Sequence, residues 1–149
     1  MEHKKIIIVD DDSLIPSLIK ELVEGECPEL EITAIATDQG QFWDLLSQHS
    51  FDAALLDISL GGREGGIEVL NTLKSKGIKL PVIMLSAHDE TIYAAKCLGL
   101  GAAGYINKIY ISTDITRGLK KVLNGELFIS GHLGEKILKK HLECPRLLP

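Results

Sequence analysis

Phe51–Leu60 reads FDAALLDISL. Between Asp52 and Asp57, alanine and leucine dominate and no charge intervenes. A strand buried on both faces of a parallel sheet has this composition, because neither side meets water. Open α/β sheets place their sites at the carboxyl ends of strands. The stretch puts Asp57 at such an end. Asp57 is therefore the candidate reactive group, and the other segments matter for what they bring to its carboxylate.

Upstream, Lys5 to Asp10 carries three isoleucines and a valine before acid, a second buried-strand pattern. Asp10, Asp11 and Asp12 follow without a break. Ser13 is the expected cap of a first helix, on which Leu14, Ile15, Leu18, Ile19, Leu22 and Val23 recur at helical spacing. Pro16 falls in its first turn, where a missing N–H loses no intrahelical bond. Gly25 is an expected stop. Glu31 to Ala36 is a short strand, and Thr37 or Asp38 is expected to cap a helix bearing Phe42, Trp43, Leu45 and Leu46.

Downstream of Asp57, the turn GGREGG has glycines that permit positive φ. Ile67, Val69, Leu70 and Leu73 mark a third helix that ends near Gly77. LPVIMLS, Leu80 to Ser86, is a fourth buried strand with Pro81 at its entry. Asp89 is an expected cap for a helix reaching Leu98. AAGYIN, Ala102 to Asn107, is a fifth strand with Lys108 just past its end. Ser112 or Thr113 is the expected cap of a fifth helix, with Ile115, Leu119, Val122 and Leu123 inward. Gly118 costs that helix ~1 kcal/mol against alanine.

Five strand–helix units in strict alternation predict an α/β fold, a doubly wound five-stranded parallel sheet with helices on both faces. The expected division is a domain over residues 1–125 and an extension over 126–149 that holds a short amphipathic helix (Leu133, Ile137, Leu138, Leu142) and no effector domain. At 149 residues one domain can bury a proper core. No window approaches the ~18 apolar residues of a membrane span, and no signal peptide is expected. Three scattered cysteines then argue for reduced thiols and a cytoplasmic chain. A net charge of -5 disfavours direct nucleic-acid binding by this chain.

In a parallel sheet all strand ends of one sense share an edge. Asp10, Asp11, Asp57, Ser86 and Lys108 are therefore expected to converge. Crowded carboxylates raise one another's pKa unless a cation neutralises them. A hard divalent ion with oxygen ligands, Mg²⁺, meets that need. An ammonium and a small hydroxyl beside such a carboxylate suit a phosphoryl group, with the carboxylate as nucleophile.

IIIVDDDS, LLDISL, PVIMLSA and GYINK, taken together, make Lys4 to about Leu123 resemble the receiver domain of two-component response regulators. GELFIS in the tail is similar to the receiver half of LuxR-type regulators. The resemblance implies a flavodoxin-like fold, with Asp57 as phosphoacceptor and Mg²⁺ held by Asp10, Asp11, Asp57 and the Ser59 backbone carbonyl. It implies Ser86 as switch hydroxyl, Lys108 as phosphate-pairing cation, and Tyr105 as an aromatic switch that turns inward when Ser86 moves. Ala87 would leave the phosphoryl group room to enter. A histidine kinase or phosphotransfer protein is the expected partner, docking over Ile15, Pro16 and the loop at Ile109, and a homodimer is an expected assembly. Phosphorylation and dephosphorylation would be self-catalysed, so the domain is not an enzyme in the usual sense. Ile109 stands where such domains follow the lysine with proline or aspartate across a cis bond. Non-proline cis costs ~3 kcal/mol, so with Ile109 at this place the sequence leaves the isomer of the Lys108–Ile109 bond open. Gly61 replaces a usual proline, which predicts a looser loop.

Two other readings compete. An aspartyl-phosphate phosphohydrolase or phosphotransferase usually needs a second acid two residues past its nucleophile, and position 59 is serine. A degenerate receiver kept only as an interaction module would not need the full pocket. His88 and Cys97 are expected to be a surface side chain and a packed one, and Trp43 to fill core between helix and sheet.

Overall fold

A computed structural model of the chain describes residues 3–87 and 91–130. The expected Asp89 cap, His88 and the amphipathic helix of the tail lie outside the described residues. Six strands, β1 Lys4–Val9, β2 Leu30–Ala36, β3 Ala53–Asp57, β4 Val82–Ser86, β5 Gly104–Asn107 and β6 Phe128–Ile129, form one sheet in the order β2-β1-β3-β4-β5-β6. Every pairing is parallel. Parallel neighbours need crossovers, and α1 Leu14–Glu26, α2 Gln39–Gln48, α3 Gly65–Ser75, α4 Thr91–Gly99 and α5 Ile111–Leu123 supply them. The expected doubly wound, flavodoxin-like sheet is therefore present, with one strand more than the sequence pattern predicts. Two residues of β6 are too few to carry a periodicity. They pair because α5 returns the chain beside Gly104 and Tyr105.

Period-two alternation divides the core. Ile7, Val9, Leu56 and Met84 face α2, α3 and α4 through Phe42, Val69, Leu70 and Cys97. Ile6, Ile8, Leu55, Ile83 and Leu85 face α1 and α5 through Ile19, Val23, Ile115 and Leu119. Cys97 packs as expected, and burial pushes its thiol pKa up to about 11. Trp43 is only partly buried against the first layer, and the Lys76 ammonium lies 4.6 Å over its ring.

The apolar stripe of α1 is wider than its buried arc. Pro16, Ile19 and Val23 are buried, whereas Leu14 is 72% and Leu18 42% exposed. Ser13 makes no side-chain cap. Asp12 takes that role, its Oδ1 accepting from Leu14 N at 2.7 Å and Ile15 N at 3.4 Å. Asp38 caps α2 through Gln41 N at 2.8 Å. Neither Ser112 nor Thr113 caps α5, because Asn107 Oδ1 accepts from Ile109 N at 2.9 Å and starts a 3-10 turn over Lys108–Tyr110 that runs into the helix. The GGREGG glycines split by role. Gly61 and Gly62 have φ of 67° and 152°. Gly65 and Gly66 open α3 instead, and a Cβ on Gly66 would fall on the Asp57 carbonyl oxygen.

Candidate functional site

Strand order runs one way from β1 to β2 and the other way from β1 through β3. The topological switch point thus lies between β1 and β3, where open α/β sheets form their clefts. Asp10 directly follows β1, and Asp57 ends β3. One carboxylate oxygen each from Asp10, Asp11 and Asp57 lies within 4.8 Å of the others. Asp10 and Asp57 are buried and Asp11 is exposed.

Short-range bonds aim these groups. Asp12 N–H donates to Asp10 Oδ1 at 2.9 Å, an Asx-type turn that holds the side chain over the strand end. Gly61 N–H approaches Asp11 Oδ2 at 3.4 Å, joining the loop after β3 to the acid pair after β1. Ser59 donates to Asp57 Oδ1 from its backbone N–H at 3.3 Å and from its hydroxyl at 3.2 Å. The role expected of Ser59 rests on its backbone carbonyl, and the hydroxyl contact is an addition. That carbonyl accepts from Gly62 N at 3.1 Å.

Lys108 reaches in from the end of β5. Its Nζ lies 3.1 Å from Asp10 Oδ2 and 3.5 Å from Asp57 Oδ1. Burial works against the Lys108 ammonium, but hydrogen bonding and attraction from Asp10 and Asp57 outweigh it and hold its pKa above the usual lysine value. Burial raises the Asp10 pKa, and repulsion from Asp57 adds to this, with the Asp12 N–H and Lys108 opposing. Among the described residues no peptide bond is cis, so Lys108–Ile109, left open by the sequence, is trans.

A cavity of about 450 Å³ opens over Asp57. Ser86 and Ala87 from the end of β4 line it, together with Ser59, Arg63 and Tyr93. Ser86 is buried. Tyr105 is fully buried, its ring already turned into the α2–α4 side of the core. Pro16 is buried, so of the expected docking residues only Ile109, 75% exposed, offers a broad apolar surface.

The arrangement suits a hard divalent cation. All three candidate side-chain ligands are carboxylates, and one ammonium against three of them leaves two negative charges when all are ionised. Arg63 and Tyr93 line the pocket beyond the residues that the sequence pattern predicts. The available signal for Arg63 was its place in the loop directly after the Asp57 strand. Asn107 has the turn-forming chemistry of an Asx residue, a signal the strand pattern ending there obscures.

The model of the response regulator receiver domain family matches residues 6–120. The chain belongs to that family. Among its relatives, the transcriptional regulatory protein DegU of Brevibacillus brevis is 27% identical over 137 residues, covering 92% of this chain and 57% of DegU. The transcriptional regulatory protein CpxR of Escherichia coli K12 is 34% identical over 119 residues, covering 80% of this chain and 49% of CpxR. The chain thus spans about half to three-fifths of the length of these curated relatives. A LuxR-family two-component response regulator from Aurantimonas sp. SI85-9A1 has the same fold. Its TM-score is 0.87 at 23% identity, covering 95% of this chain and 99% of that one. These relatives carry the names of regulators, not of enzymes. No described helix is long and apolar enough to cross a membrane.

Proposed function

We propose that this receiver domain is a phosphoacceptor switch in a two-component phosphorelay, with Asp57 as the acceptor. The observation that carries this is the meeting of the Asp57 carboxylate, two further acids and the Lys108 ammonium at one rim of the sheet. An Asp57 oxygen attacks the phosphorus of a phosphohistidine on a histidine kinase or phosphotransfer protein. The P–N bond breaks, its electron pair stays on the imidazole, and an aspartyl phosphate forms. Mg²⁺, held by Asp10, Asp11, Asp57 and the Ser59 carbonyl, would neutralise charge on the phosphoryl oxygens. Lys108 pairs with an oxygen of the same group and loses part of its hold on Asp10. Ser86 donates its hydroxyl to another, and Ala87 leaves the path open.

Movement of Ser86 toward the phosphoryl group is the switch event. Tyr105, on the neighbouring strand, is the aromatic that reports it to the α4–β5–α5 face. Leu14 and Leu18 on α1 and Ile109 and Tyr110 after β5 expose apolar surface, and the donor docks there. This replaces the Ile15–Pro16 contact expected from the sequence.

Incubation with acetyl phosphate and Mg²⁺ should add one acid-stable, base-labile phosphate, read by intact mass. Asp57→Asn should take none. Label that persists in that variant removes Asp57 as acceptor. Multiple turnover of a simple phosphate ester would favour a phosphohydrolase instead.

A further inference from the structure

The cavity over Asp57 holds more space than a phosphoryl group needs. At about 450 Å³ it falls in the small-molecule range of about 300–1,000 Å³. Part of its wall is made by two side chains that the phosphorelay does not use, Arg63 and Tyr93. Arg63 stands in the loop between β3 and α3 and is exposed. Its neighbour Glu64 is engaged by Lys96 at 2.9 Å. Among the described residues no acid pairs with the Arg63 guanidinium. Lys108, the other cation at the site, is held between Asp10 and Asp57. Arg63 is therefore the cation left for a group that enters from the cavity side.

We propose that Arg63 binds the leaving group of a small acyl-phosphate donor and so makes this pocket selective for that donor class. The inference rests on Asp57 being the phosphoacceptor. In the step, an Asp57 oxygen forms a bond to phosphorus and the bond from phosphorus to the acyl oxygen breaks. The electron pair departs on that oxygen, and the products are the aspartyl phosphate and a free carboxylate. Negative charge grows on the departing carboxylate as its bond stretches. A planar guanidinium matches a carboxylate with two parallel N–H donors, and it acts most where charge develops. Phosphoramidate behaves differently. Its nitrogen leaves as neutral ammonia after taking a proton, so a cation at that place gives it no help. The Tyr93 ring limits the cavity on the α4 side, which favours a short acyl chain over a long one.

The test compares wild type, Arg63→Gln and Arg63→Lys, each with Mg²⁺ and either acetyl phosphate or phosphoramidate. Phosphate incorporation is followed by intact mass, and thermal midpoints confirm equal folding. The ratio of the acetyl phosphate rate to the phosphoramidate rate should fall about tenfold in Arg63→Gln. That is less than the ~10²–10³ of a buried oxyanion donor, because Arg63 is exposed. Arg63→Lys should recover part of the ratio. An unchanged ratio, with both donors slowed alike or neither slowed, overturns the role of Arg63 and leaves Asp57 as acceptor. Wild-type protein that takes phosphate from neither donor overturns the phosphoacceptor reading as well.

Discussion

Asp10 carries the opposing forces of the pocket in one side chain. Its pKa is raised, first by burial and also by the Asp57 charge. In the folded state it therefore keeps its proton over a pH window in which the unfolded chain has already released it. The native state binds more protons there, so stability falls as pH rises from the ordinary aspartate range through the raised Asp10 value. Above that window the loss is complete. A cation bound between the three carboxylates relieves the repulsion, so Mg²⁺ should stabilise the protein more at pH 8 than at pH 5. Saturation at 100 times Kd adds about 2.7 kcal/mol by mass action. For a chain of this size that raises the thermal midpoint by roughly 5–10 °C. Thermal melts with MgCl₂, against NaCl at matched ionic strength, check this. A shift equal in both salts, or unchanged in Asp57→Asn, would contradict the ligand assignment.

At the scale of elements, two glycines fix how helices meet the sheet. Gly66 lets the first turn of α3 rest on the backbone at the end of β3, with its N–H donating to Ile58 O at 2.8 Å. A Cβ there would collide with the Asp57 carbonyl and the Ile58 Cα. Backbone cannot move aside as a side-chain tip can, so Gly66→Ala should cost about 3 kcal/mol or more, read by urea denaturation. Gly118 shows a subtler conflict. Alanine would gain ~1 kcal/mol of helix propensity in α5. Its Cβ would, however, stand 3.0 Å from the Phe128 ring and 3.2 Å from Ile106 Cδ1, both buried. Gly118→Ala should therefore destabilise by about 1 kcal/mol net, since the overpacking cost of ~1–3 kcal/mol exceeds the propensity gain. A stabilised variant would show that Phe128 and β6 yield freely. Helical periodicity reveals that Gly118 is unfavourable for its helix. It does not reveal that a ring from β6 occupies the missing methyl's place.

For the molecule as a whole, the two core layers share the same strands. Ile7 and Ile8, or Leu55 and Leu56, belong to opposite faces of one backbone. Loss of either layer strips the sheet that supports the other. Unfolding should therefore be a single transition, with Trp43 fluorescence from the α2 layer and far-ultraviolet circular dichroism giving the same urea midpoint. Separated midpoints would show that the layers unfold apart.

The apolar runs closing on Asp10, Asp57 and Ser86 were legible in the chain, because burial on both faces leaves a continuous local signature. Alternation with amphipathic helices then dictated a parallel sheet and one shared edge for its strand ends. That much the sequence determined by itself, since every step depends on residues near one another along the chain. The meeting of three carboxylates within 4.8 Å, the span of Lys108 across two of them, the presence of Arg63 on the cavity wall and the sixth strand were decided only in the tertiary structure. These depend on strand order, loop path and side-chain direction. Such contacts join segments tens of residues apart, and no local periodicity records them.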